Sequence, residues 1–153
     1  MQNRRPFVQT TLIGLILSLW LATSGMAQGM DQAKSLYERI GGYNALAAVV
    51  DDFIGRLIAD KQFERFFVGH SVDSKKRIRQ HILDQFCEAT GGPCVYTGRD
   101  MKTSHTGLGL SNADWDAAAK HLVASLDKFK VPAKEKDEVL AFVTTLKKDI
   151  VEK

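Results

Sequence analysis

Four histidines and two cysteines hold this chain's capacity for metal or redox chemistry: His70, His81, His105 and His121, with Cys87 and Cys94. A neutral imidazole ligates a metal through one ring nitrogen and a thiolate takes the softer metals, so spacing decides what these groups can do together. No HExxH, CxxC or CxxCH occurs. A structural zinc site and covalent attachment of a c-type haem therefore have no support. Cys87 and Cys94 lie seven residues apart across Gly91-Gly92-Pro93, a turn able to bring them together. They are either a disulfide or two free thiols, because sequence does not supply the Cα separation that a bridge needs.

His105 stands apart from the other three. It follows Met101 by four residues, which on a helix places both on one face. An imidazole with apolar neighbours suits a flat apolar cofactor, and Phe66-Phe67 offers an aromatic wall; a satisfied or exposed helix histidine is the plainer reading of the same spacing. His70, beside Gly69, reads as an exposed loop residue, and His121, between Lys120 and Leu122, as a surface or edge position.

The elements that must position these residues read as helices. Leu46, Val49, Val50, Phe53, Ile54, Leu57 and Ile58 recur at spacings of three and four. A second run contains Ile78, Ile82, Phe86 and Ala89, begins after Asp73-Ser74, either of which has capping chemistry, and stops at Gly91-Gly92-Pro93. A third runs from Trp115 to Phe129 behind Ser111-Asn112-Ala113-Asp114, and a fourth contains Val139, Phe142, Val143, Leu146 and Ile150, entered through Val131-Pro132. Shorter pieces are expected at Ser35–Ile40, Phe63–Phe67 and Met101–Gly107. Nothing alternates with period two between turn signals, so the fold class is all-α, in one domain without internal repeats.

The 153 residues carry 21 Lys+Arg against 18 Asp+Glu, a formal charge of +3, and 44% of them are hydrophobic. Those proportions exclude a disordered chain and a disulfide-dense miniprotein. The amino terminus differs in kind from the rest. Arg4 and Arg5 precede an eleven-residue apolar run, Leu12 to Ala22, and then Thr23-Ser24-Gly25-Met26-Ala27. This is the charged, apolar and small-residue order of an export signal over residues 1–27, cleaved after Ala27 and directing the chain to the periplasm. Asn3-Arg4-Arg5-Pro6-Phe7-Val8 also resembles a twin-arginine signal, against the alternative of an ordinary signal with two arginines. The run is short for a membrane span of roughly 20 residues. Without residues 1–27 the chain keeps 19 basic and 18 acidic residues and a net charge of +1, which gives no electrostatic footprint for nucleic acid. Lys75-Lys76-Arg77 with Arg79 reads as a solvated helix face.

Leu36-Tyr37-Glu38-Arg39-Ile40-Gly41-Gly42, Val49-Val50-Asp51-Asp52-Phe53, Phe66-Phe67, Gly91-Gly92-Pro93, Tyr96-Thr97-Gly98-Arg99-Asp100-Met101-Lys102, and His105 with Gly107-Leu108-Gly109-Leu110 follow one another in an order that resembles the truncated haemoglobins of group I. The resemblance covers about residues 35 to 150. It implies a two-over-two helical sandwich over residues 28–153 around haem b (iron protoporphyrin IX), with His105 as the proximal iron ligand. It also implies that Phe67 stacks on the haem, that Met101 packs against it one turn before the ligand, and that Phe53 and Phe86 line the pocket.

The departures from the family pattern concern the distal side. Many members carry a tyrosine on the second helix that donates to bound oxygen; the ungapped match puts Ile54 there, and isoleucine donates nothing. Counted back from Gly91-Gly92-Pro93, Ile78 and Ile82 take positions that often hold polar residues, and His81 falls where some members place a second haem ligand. Gln85 and Arg79 are the nearest polar alternatives. Two expectations follow: an open apolar site that binds O2 weakly and CO or NO readily, or a bis-histidine iron between His105 and His81 suited to electron transfer or redox sensing. Conversion of NO to nitrate is allowed by the resemblance but requires an external electron-donor partner, since no flavin or nicotinamide fingerprint is present. A haem-free helical interaction module is the reading from another class.

Overall fold

The protein is described by a computed structural model over residues 33–153; the export signal expected at residues 1–27 lies outside the described residues. Eight helices follow one another within them: α1 (Leu36–Ile40), α2 (Gly42–Ala59), α3 (Glu64–Phe67), α4 (Val72–Ala89), α5 (Met101–His105), α6 (Asn112–Lys128), α7 (Ala133–Thr145) and α8 (Lys147–Ile150). Among the described residues there is no strand, and no helix is long and apolar enough to cross a membrane.

The long helices α2, α4, α6 and α7 are the four that the apolar periodicity outlines, in a two-over-two sandwich with α2 lying against both α4 and α6. Their buried stripes meet in one core: Leu46, Val49, Val50 and Ile54 of α2, Leu83, Phe86 and Cys87 of α4, Leu122 and Leu126 of α6, and Val139 of α7. Ion pairs fix the register around this core. Asp52 on α2 accepts from Ser125 Oγ (2.8 Å) and Lys128 Nζ (2.5 Å), tying α2 to α6, and from Arg56 Nε (2.6 Å) one turn along its own helix. The Lys128 ammonium, then the Arg56 guanidinium, hold its carboxyl well below the usual carboxylate range. Arg39 binds α1 to α7 through Glu135 (2.7 Å) and Glu138.

Helix ends follow capping chemistry, with differences from the sequence reading. Ser35 and Ser111 close capping boxes with Glu38 and Asp114. Helix α4 starts earlier than Asp73-Ser74: Ser71 is its cap and accepts from Ser74 N–H at 3.2 Å, which moves the first turn two to three residues back. Leu146 interrupts the expected fourth helix, leaving Ile150 on a separate short helix. Pro132 is the cap residue of α7, and the helix itself begins at Ala133.

Cys87 and Cys94 form a disulfide, with Cα atoms 5.7 Å apart. The turn between them requires glycine: a Cβ on Gly92 would stand 2.7 Å from Cys87 Sγ and from the Tyr37 ring, and 2.8 Å from the Cys87 carbonyl oxygen. The bridge fastens the end of α4 to the segment that leads into α5, the helix that carries His105.

Candidate functional site

A cavity of about 620 Å³ opens between α2, α4, α5, α6 and the α7–α8 end, within the range of roughly 300–1,000 Å³ typical of ligand sites. Its walls are apolar and aromatic for the most part: Phe53 and Leu57 from α2, Phe66 and Phe67 from α3, Ile78, Ile82 and Phe86 from α4, and Trp115 and Leu122 from α6. Met101 and His105 face it from α5.

Helix α5 has only five residues, too few to hold itself. Asp100 caps it, accepting from Thr103 N–H at 2.7 Å; that amide, then the Thr103 hydroxyl, draws the Asp100 carboxyl below its ordinary pKa. The Tyr96 hydroxyl donates to the Arg99 carbonyl at 2.5 Å and steadies the approach to the cap.

The His105 side chain is oriented by its own helix. Nδ1 lies 2.8 Å from the Met101 carbonyl oxygen. A carbonyl only accepts, so Nδ1 carries the proton and Nε2 keeps its lone pair. The i−4 spacing that aligns Met101 with His105 therefore does a second thing: the main chain of the earlier residue fixes the tautomer of the later one. Half-buried on the wall of an apolar cavity, His105 has the form of a single imidazole ligand for a metal held within a flat apolar cofactor. These residues fit haem: one oriented imidazole, aromatic faces from Phe66 and Phe67, and few polar groups.

Phe53, Phe67, Ile78, His81, Ile82, Phe86, Met101 and His105 all line this cavity. Ile54 does not. It is 6% exposed and lies in the core with Leu46, Val49 and Val50. One residue on an α-helix turns the side chain by about 100°, so with Phe53 on the cavity wall its neighbour faces the interhelical core. His81 is solvent-exposed at the cavity rim, its ring edge-on to Tyr96 with centroids 6.1 Å apart. Of the two polar alternatives on α4, Gln85 lines the cavity. Arg79 is bound instead to both carboxylate oxygens of Asp51, at 2.6 and 2.9 Å.

The remaining histidines differ from their sequence reading in part. His70 is exposed and bonded to Ser74 Oγ at 3.1 Å, and it also lies at the cavity edge. His121 is not a bare surface residue: it is half-buried, with Nε2 2.7 Å from Asp60 Oδ2 and its ring edge-on to Phe63. Asp114 escaped the sequence reading as a site residue. Its carboxylate is almost fully buried at the cavity margin, where Gln62 and Arg65 donate to it at 2.9 and 2.8 Å, fastening the start of α6 to α3. The Gln62 amide, followed by the Ser111 backbone N–H, holds its pKa at about 2. Its place in a serine capping box was the one local signal.

Comparison with known proteins identifies the same architecture. A family model described as bacterial-like globin matches residues 35–152. The group 1 truncated hemoglobin GlbN of Mycolicibacterium paratuberculosis is 36% identical over 116 residues, 76% of this chain and 83% of that protein. Its counterpart in Nostoc commune is 34% identical over 119 residues, 78% of this chain and 98% of that one. Among solved structures, truncated hemoglobin from Tetrahymena pyriformis in the Fe(III) form superposes with a TM-score of 0.72 at 28% identity, covering 78% of this chain and all (100%) of that one. The 2/2 hemoglobin of Synechococcus, in the cyanomet state and with covalently attached heme, gives 0.70 at 32% identity, over 78% and 100% of the two chains.

Proposed function

Because the chain belongs to the bacterial-like globins, as a haem-binding group 1 truncated hemoglobin, we propose that its cavity would hold haem b, with His105 as the proximal iron ligand and a largely apolar wall opposite. The observation that carries this reading is the bond from His105 Nδ1–H to the Met101 carbonyl, which keeps Nε2 unprotonated for the iron. When bound, the haem supplies an iron that takes O2, NO or CO reversibly. Phe67 and Met101 give the macrocycle apolar contact from two elements, and the aromatic lining keeps water out of the site.

On the opposite side Phe53, Ile78, Ile82 and Phe86 offer no hydrogen-bond donor to a ligand, which leaves His81 at the rim and Gln85 as the donors that α4 brings to the lining. The apolar lining supports weak, fast-releasing O2 binding, with CO and NO bound readily. The exposure of His81 and its contact with Tyr96 favour an open sixth position over a bis-histidine iron. The Cys87–Cys94 disulfide supports work in an oxidising compartment, in keeping with export to the periplasm by residues 1–27.

Absorption spectra of the purified ferric and ferrous protein, with and without CO, test the reading. The expected result is a Soret band, a high-spin ferrous form and a complete shift on CO addition. A low-spin ferrous spectrum without added ligand, abolished in His81→Ala, overturns the open site. No Soret absorbance after expression with excess haem overturns haem binding itself.

A further inference from the structure

The loop that follows His105 ends under the carboxyl-terminal residues of the chain. Glu152 Oε1 accepts from Gly107 N–H at 2.8 Å, and Oε2 accepts from Gly109 N–H at 2.5 Å. Both glycines have left-handed backbone, φ +85° and +64°, which turns their two amides toward one carboxylate, and a side chain at either position would be strained. The main chain continues the attachment: Glu152 N–H donates to the Leu110 carbonyl at 2.8 Å, and Asn112 N–H to the Lys153 carbonyl at 3.1 Å. On either side of this clamp, Leu108 and Leu110 after the histidine and Ile150 and Val151 before Glu152 all line the cavity.

Helix α5 is therefore held at both ends by groups outside it. Asp100 fixes its start, and the Glu152 strap fixes the turn two residues past its last residue, His105. With a five-residue helix, the position of the imidazole is set by those two anchors and not by helix stability.

We propose that Glu152 is a positioning residue for His105, pinning the Gly107–Gly109 loop so that the imidazole meets the haem iron in one fixed orientation. The inference rests on the assignment of His105 as the axial ligand. Three measurements on the full-length protein test it in wild type, Glu152→Ala and the near-isosteric Glu152→Gln, with Lys153→Ala as a control that keeps the main-chain bonds. Amide exchange by NMR, in the haem-free and haem-loaded protein, is expected to show Gly107 and Gly109 protected in wild type and exchanging about tenfold or more faster in Glu152→Ala. The iron–histidine stretching band of the ferrous protein is expected to shift or broaden in both Glu152 variants. Haem transfer to an acceptor apoprotein is expected to quicken by about 10-fold in Glu152→Ala. Lys153→Ala is expected to leave all three unchanged.

Unprotected glycine amides in wild type overturn the clamp. Faster exchange in Glu152→Ala with an unmoved band and unchanged haem transfer overturns the positioning role and leaves a structural tie. A five-coordinate, high-spin wild-type ferrous spectrum with no iron–histidine band overturns the assignment of His105 and this proposal with it, whereas a normal wild-type band that stays fixed in both variants overturns this proposal alone.

Discussion

The two walls of the cavity are built by opposite means. On the His105 side, hydrogen bonds over-determine a short helix: Asp100 at its start, Met101 beneath the imidazole, Glu152 beyond its end. On the α2 and α4 side, the wall is mostly shape and hydrocarbon, Phe53, Ile78, Ile82 and Phe86, with His81 and Gln85 the polar side chains that α4 adds to the lining and Phe86 braced edge-on by Phe142 at 6.0 Å. On the proposed reading, the wall that holds the metal ligand in one orientation uses directional bonds, and the wall that meets a small gas tunes affinity by offering few of them.

The sharpest way to break this contrast is at the ligand. His105→Gly is expected to lower haem affinity by at least about 100-fold, with added imidazole restoring much of the loss in an absorbance titration. If affinity survives without imidazole, the first wall does not carry the cofactor. Next comes a donor placed on the other wall. Ile82→Gln is expected to slow O2 release about 10- to 100-fold in stopped flow, the effect of one hydrogen bond to a charged group; an unchanged rate means that the apolar wall does not govern release. Smaller is the tie between the two sides. Reducing Cys87–Cys94 is expected to lower the unfolding free energy by about 2 kcal/mol in denaturant titration, while leaving the ferrous spectrum as it was.

The least effect is expected at the margin of the cavity. Asp114→Asn should destabilise by about 1 kcal/mol, measured by thermal unfolding. The Asp114 carboxyl titrates at about 2 in the fold against an ordinary 3.8, so its contribution is complete above pH 3.8 and is lost as pH falls toward 2. Asp114→Asn should remove that part of the acid sensitivity.

Helix identity was legible because apolar periodicity over three or more turns repeats its own signal, as from Leu46 to Ile58. Cap choice was not, since Ser71, Asp73 and Ser74 all have the chemistry and only the chain path selects Ser71. The break at Leu146 has no glycine or proline to announce it. Spacing set His105 apart through Met101 four residues earlier while leaving a satisfied or exposed helix histidine the plainer reading, and the hydrogen bond that orients it runs to main chain, which has no sequence signature. Ile54 shows how fine the margin is: a matched alignment names the position, and a single step of helix rotation decides whether it faces the cavity or the core. The Glu152 clamp joins residues 43 and 45 positions apart, beyond any local pattern.

Ile54 also belongs to a division of labour with a consequence for assembly. Phe86 and Leu122 touch the cavity, but Leu46, Val49, Val50, Ile54, Leu83, Leu126 and Val139 bury one another away from it. The helices therefore have a nucleus that does not wait for a prosthetic group. A chain built this way can fold empty, close its disulfide, and load its haem as the last step of maturation, an order that the proposed export would also permit.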